Sequence, residues 1–329
     1  MAMRNSTMIA TITSTTSKPT ASAVAVAHAE SARIGEAVGV ARVGSIVGLV
    51  QHKTVADATS KAVVHDAAGR PQAFVLCSAP AYPHRVARTV ERAHLAADQL
   101  GCAGRAVLQP VLAGWWHDVS YAVYPWRTPL GRGAVRRRLD PRWYRRGILR
   151  WLRDAASNAR PWPEDEYEGI DASLCFVHTC QALPEPIRAA AGRARQRLAS
   201  GHWQPRRVVD HNDLWLANVL RASRGDRAAG NAYGLWLIDW GAVNMTGFGF
   251  YDLLHAAEEL RMSPRRLGRE LAAHCRCMGC PPGDAPSQLL ASLGHLGRHR
   301  EEFPLRRYVE VVTACWKLMD AGLRGQGQR

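Results

Sequence analysis

A chain of 329 residues with 47% hydrophobic and 22% charged residues can bury a sizeable core, as one large domain or two modest ones. No apolar run approaches the ~20 residues a membrane-crossing helix needs, which argues against a membrane span. The net charge of +15 raises nucleic-acid binding as a function, but its distribution opposes it.

Only Lys18, Lys53, Lys61 and Lys317 are lysines, and the arginines lie in scattered groups such as Arg136–Arg138, Arg206–Arg207 and Arg261–Arg266. They do not gather into one basic helix with interleaved aromatics, so the surplus reads as a solvated surface and no nucleic-acid partner is expected. Along the chain, residues 1–35 are rich in Ser, Thr and Ala and carry no acid before Glu30, which predicts a disordered tail. From 36 to 127 the pattern is strand-rich. Ala62–His65 and Gln72–Leu76 flank a hairpin turn at Asp66–Arg70, a helix follows over Pro83–Leu100, and strands are predicted at Ala106–Leu112 and Tyr121–Tyr124. From 128 to 329 helices dominate, at Pro141–Asn158, Pro184–Ser200, Tyr251–Arg261 and Pro304–Leu323, with an acidic loop at Glu164–Glu168. This is an α+β organisation: a nucleotide-binding β-rich half, then a larger helical half for catalysis and substrate, with the nucleotide expected in a cleft between two lobes.

Eight cysteines at irregular spacing point to a reducing cytoplasm rather than a disulfide framework. Cys275, Cys277 and Cys280 beside His274 form a C-x-C-x-x-C cluster. A structural zinc site more often shows two separated C-x-x-C pairs, so ordinary thiols are the default.

The chemistry concentrates in Val208–Leu220, where an apolar approach delivers His211, Asp213 and Asn218 on an irregular segment. About twenty residues later the apolar strand Leu235–Ile238 ends in Asp239. Phosphoryl transfer from ATP needs such a set. A carboxylate such as Asp213 orients the attacking hydroxyl and accepts its proton, and Asn218 and Asp239 offer hard oxygens to Mg2+.

The spacing His211-x-Asp213-x-x-x-x-Asn218, followed by Ile238-Asp239-Trp240, resembles the signature of the aminoglycoside phosphotransferase/choline kinase family. The resemblance spans about residues 50 to 260. It implies a protein-kinase-like two-lobed fold, Asp213 as base, Asn218 and Asp239 as magnesium ligands, and His211 as a brace of the catalytic loop. It also implies that Asp252 holds the loop's backbone and that the strand bearing Tyr124 meets the adenine. The chain departs from the family at Cys77, where the third strand should end in a phosphate-binding lysine; Glu91 takes the place of that lysine's acidic partner. The family's phosphate-covering turn would fall near Ala56–Ser60, which has no glycine. A tight Asp66–Arg70 hairpin pairs Cys77 with a residue between about 59 and 62, so Lys61 is expected to reach the phosphates and Glu91 from the neighbouring strand. A solvent-facing lysine is the other reading.

The expected activity is therefore transfer of the ATP γ-phosphoryl group to a hydroxyl of a small molecule: an aminoglycoside or other antibiotic, a sugar, or a choline-like alcohol. The alternative is a pseudokinase that binds nucleotide or a protein partner without catalysis, favoured by Cys77 and opposed by the complete Asp213, Asn218 and Asp239 set. A protein kinase fits less well, since the short link from Asp239 to Asp252 leaves no room for a peptide-binding activation loop.

Overall fold

The computed structural model describes residues 22–49, 59–130, 134–228, 230–299 and 304–326. They divide into two compact units. The first comprises the chain up to Leu95 with Leu108–Thr128; the second comprises Ala96–Val107 and everything from Pro129 onward.

The first unit opens with two short helices, α1 (Ala23–Ala29) and α2 (Ser31–Ala37), which correct the tail expected through residue 35. Ser22 caps α1 by accepting the Ala25 N–H at 3.2 Å, and the Ala23 N–H reaches Ser60 Oγ at 2.8 Å, tying the helix to the sheet. Val26 and Ile34 are fully buried, each contributing about 1.5–3 kcal/mol, which offsets the polar composition around them. The sheet contains β1 (Val43–Leu49), β2 (Ser60–Asp66) and β3 (Pro71–Cys77), then β4 (Leu112–Trp116) and β5 (Val119–Pro125) after the helix α3 (Arg85–Gln99). Its order is β1-β2-β3-β5-β4, antiparallel throughout. The turn between β2 and β3 forms as expected. Asp66 Oδ1 accepts the N–H groups of Ala68 and Arg70 at 2.9 Å each, which holds its carboxyl below the usual range, and Gly69 supplies the positive φ of 73°. The strand expected at Ala106–Leu112 instead begins at Leu112; Gly101–Ala106 is a 3-10 turn and Pro110 interrupts the apolar run.

One face of the sheet presents Ala62, Val64, Ala73, Val75, Cys77, Tyr121 and Val123 to α1 and α2, forming a dry core. Helix α3 starts under two buried serines. Ser78 Oγ and Ser120 Oγ lie 2.8 Å apart and accept the N–H groups of Val86 (2.9 Å) and Ala87 (3.1 Å), while Ser120 Oγ donates to Pro83 O at 2.6 Å. They satisfy donors that a helix start leaves unpaired.

The second unit contains α4 (Ala134–Ala156), β6 (Arg160–Pro161), α5 (Tyr167–Thr179), α6 (Glu185–Ala199), β7 (Arg206–Asp210), β8 (Val219–Arg221), α7 (Arg224–Ala228), β9 (Leu235–Leu237), β10 (Asn244–Gly247), α8 (Tyr251–Glu259), α9 (Pro264–Met278), α10 (Ala285–Arg298) and α11 (Leu305–Gln326). Helix α5 packs on α6 and α10, and α9 on α11 and α4. Gly294 of α10 lets that helix lie against the backbone of Ser173 in α5, where any Cβ would collide. Two small sheets, β10-β7-β6 and the β8-β9 hairpin, carry the segments singled out above. Among the described residues no helix is long and apolar enough to cross a membrane. All eight cysteines are free, with Cys275 and Cys280 buried and Cys277 half-buried; no three His, Cys, Asp or Glu side chains gather as a metal site among the described residues.

Candidate active site

Strand β7 ends in the buried Asp210, and the chain then turns sharply through His211, Asn212 and Asp213. Asn212 takes a left-handed backbone (φ 61°), which asparagine tolerates better than most residues. His211 is fully buried and bonded at both ring nitrogens. The Asp213 N–H donates to Nδ1 at 3.3 Å, so the ring proton is on Nε2, which meets Ile238 O at 3.0 Å. Burial pushes the imidazole down to about 4, leaving it neutral. With its ring also 4.5 Å from that of Trp240, His211 joins the loop to β9 and is not placed to move protons itself.

Asn218 follows on a 3-10 turn. Its Nδ2 donates to Asp213 Oδ2 at 2.9 Å and to Asp213 O at 2.8 Å. Pairing of Val219 with Leu237 sets Asn218 beside Ile238, whose N–H donates to Asn218 O at 3.1 Å. Asp239 comes next, exposed and in a left-handed conformation (φ 65°, ψ 57°). A non-glycine residue held there costs on the order of 1 kcal/mol and tends to mark functional sites. The buried Trp240, its Nε1–H on Leu237 O at 3.2 Å, pins the turn from behind. Asp213 and Asn218 are thus joined by a hydrogen bond, and Asn218 and Asp239 occupy neighbouring ends of one hairpin.

Asp252 of α8 accepts the N–H groups of His211 (2.6 Å) and Asn212 (3.0 Å). Sequence reading missed the rest of this scaffold. Asp210 accepts the N–H groups of Phe248 (2.7 Å) and Gly249 (2.9 Å), and Gly247 is glycine because a Cβ would strike that carboxylate. The acid next to His211 was visible in the sequence, but nothing there indicated which backbone it would bind.

In the first unit, Cys77 pairs with Ser60 and Lys61 with Leu76. Residues directly opposite share a face, so Lys61 points away from Cys77 and lies on the same face as Leu76, Ala122 and Tyr124. Cys77 is fully buried, and desolvation raises its thiol pKa. A lysine there would bury an unpaired charge, which explains why the position is not basic. The expected ion pair between Lys61 and Glu91 does not form among the described residues: Val86, Val90, Ala93 and Ala96 are the buried positions of α3, and Glu91 sits on its exposed side. The phosphate-covering turn expected at Ala56–Ser60 falls mostly outside the described residues. Of the acidic stretch, Glu166 faces Arg207 at 3.7 Å, and Glu168 lies in the first turn of α5.

No family model and no curated protein matches the chain. Among solved structures it is similar to a mutant aminoglycoside 2'-phosphotransferase in its GDP complex, at 12% identity over 91% of this chain and 98% of that one, with a TM-score of 0.47. A choline/ethanolamine kinase family protein from Mesorhizobium loti is similar at 17% identity over 81% and 88%, with a TM-score of 0.42. A Streptomyces rimosus aminoglycoside phosphotransferase, in complex with ADP and streptomycin, is similar at 14% identity over 78% and 90%, with a TM-score of 0.36. Likeness this distant does not decide function, which rests on the residues themselves.

Proposed function

We propose that this chain is an ATP- and Mg2+-dependent O-phosphotransferase of kinase-like fold that phosphorylates a hydroxyl of a small molecule. The observation that carries the reading is the hydrogen bond from Asn218 to Asp213, with Asp239 one residue beyond the Ile238 N–H bound to Asn218 O and with His211 neutral and doubly bonded. Asp213 orients the acceptor hydroxyl and takes its proton as the oxygen attacks. The donor set fits Mg2+, which prefers one or two carboxylates together with waters and phosphate oxygens. With Asn218 Nδ2 committed to Asp213, its Oδ1 has no hydrogen-bond partner among the described residues, nor has the exposed Asp239 carboxylate. Bound MgATP would supply the phosphoryl group and neutralise charge between its β- and γ-oxygens. Lys61 is the proposed phosphate contact and Tyr124 marks the strand for the adenine; both lie on one face of the sheet, which supports the pairing of roles.

The acceptor is proposed as a class: an antibiotic such as an aminoglycoside, a sugar, or a choline-like alcohol. The test is phosphoryl transfer from labelled ATP to a panel of such alcohols, with and without Mg2+. Asp213→Ala should lower turnover by about 100-fold or more. An unchanged rate would remove Asp213 from the chemistry.

A second reading has its own support. Cys77 closes the usual lysine position, and Lys61 and Glu91 do not pair, as in a protein that binds nucleotide without transfer. Nucleotide-dependent thermal stabilisation that ignores Mg2+, without turnover on any alcohol, would establish that reading instead.

A further inference from the structure

Asp210 and Asp252 make a reciprocal clasp. Asp210, at the entry to the loop, accepts the backbone N–H groups of Phe248 and Gly249 just ahead of α8; Asp252, in the first turn of α8, accepts those of His211 and Asn212 just after Asp210. Each residue is 2% exposed, and neither forms an ion pair among the described residues. Both line a hollow about the size of one water, together with Gly249, Trp151, Leu152 and His274. His274 is itself 2% exposed. Its Nε2 lies 2.6 Å from Gly249 O and carries the ring proton there, so Nδ1 is an acceptor, and it has no donor.

Two anionic carboxylates out of water with no cation beside them are disfavoured by desolvation and, for Asp252, by the charge of Asp210, and only backbone N–H donors oppose this. We propose that Asp210 and Asp252 carry one proton between them at neutral pH, and that this proton lets the pair hold the catalytic loop against α8. His274 Nδ1, also without a partner among the described residues, lines the same hollow and brings no cation to the pair. Burial raises the pKa of both carboxyls, and for Asp252 the charge of Asp210 adds to the rise. The other titratable groups facing the pair are Asp213, Tyr251 and the neutral His211 and His274, none of them cationic at neutral pH. Asp210 is thereby a positioning residue: it touches no reactant and acts through the loop. The name catalytic loop rests on the phosphotransferase reading, but the protonation of the pair does not.

Infrared difference spectroscopy of the whole chain at pH 7 tests this directly. A protonated carboxyl C=O band is expected in the parent and should be lost in Asp210→Asn and in Asp252→Asn, whose amides replace the proton. Absence of the band in the parent, or its survival in both variants, overturns the proposal; the parent measurement stands even if a variant fails to fold. As pH rises from about 5 to 8, native buried acids of raised pKa release protons that the unfolded chain has already lost, so parent stability declines through them. Asp210→Asn should therefore gain melting temperature relative to the parent across that range, and a constant difference would count against the pair. Neither readout needs turnover. A clear band with no phosphoryl transfer would leave the clasp standing and remove the enzyme.

Discussion

Lys61 and Cys77 are separated by one step of strand register, and that step decides their chemistry. Ser60, not Lys61, stands opposite Cys77, so the thiol enters the core under α1 while the ammonium goes to the other face. The hairpin turn made the window for Cys77's partner legible in the sequence, because Asp66, Gly69 and Arg70 fit the turn's demands. The face was not legible, since a shift of one residue inverts every side chain. Restoring the missing basic residue by Cys77→Lys should therefore unfold the first unit rather than improve phosphate binding. Urea denaturation should show a loss of about 3–5 kcal/mol, the scale of an uncompensated buried charge. Lys61→Ala, on the half-buried face, should stay within about 0.5 kcal/mol of the parent while reducing ATP turnover. Equal stability of parent and Cys77→Lys would contradict the register.

Helix α8 shows how one element can organise a loop. Asp252, His255 and Glu259 recur at helical spacing on the side facing the catalytic segment. Asp252 holds two backbone N–H groups, His255 lies 4.6 Å from the ring of Trp215, and the Glu259 carboxylate receives the Leu216 N–H. Glu259→Ala strips that N–H of its acceptor. Because Glu259 is only half-buried, the expected cost is about 1 kcal/mol, with turnover falling through misplacement of Asn218. Glu259→Gln keeps an acceptor and should recover most of both. If the two variants lose equally, Glu259 acts through its charge and not through the hydrogen bond. Helices α3, α6, α8 and α11 were readable from their apolar period. Helix α9 has such a stripe in Leu267, Leu271, Cys275 and Met278, but the His274, Cys275 and Cys277 cluster within it also suits metal ligation, so its residue types do not read plainly as core. Helix α10 carries an apolar stripe in Leu289, Leu290 and Leu293, but Ser287, Gln288 and Ser292 are buried as well, so what reads as its solvent face lies inside the fold.

At the scale of the whole molecule, the α+β order was legible from where strand patterns give way to helical ones. Two departures came from packing that composition cannot show: α1 and α2 join the first unit, and Ala96–Val107 joins the second. Global stability should carry the mark of three buried histidines. Burial pushes His211, His255 and His274 down to about 4. The native rings are neutral, whereas the unfolded chain protonates them below about pH 6.5, so the unfolded state binds more protons between those limits. The histidines' contribution is complete above that window and falls as pH drops through it, opposite in sign to that of Asp210 and Asp252. Of the three, only His255 has no hydrogen bond among the described residues, and its ring lies against those of Trp215 and Tyr251, so His255→Phe preserves the packing. Melting temperature followed from about pH 7 to 4 should decline less steeply in that variant, and an identical slope would mean His255 is already charged in the native protein.

The paired hydroxyls of Ser78 and Ser120 bear on how Glu91 can move. Because they fasten the first turn of α3 to the ends of β3 and β5, the helix cannot ratchet along the sheet without breaking several short bonds together. Any approach of Glu91 to Lys61 must then be a pivot about that fixed end.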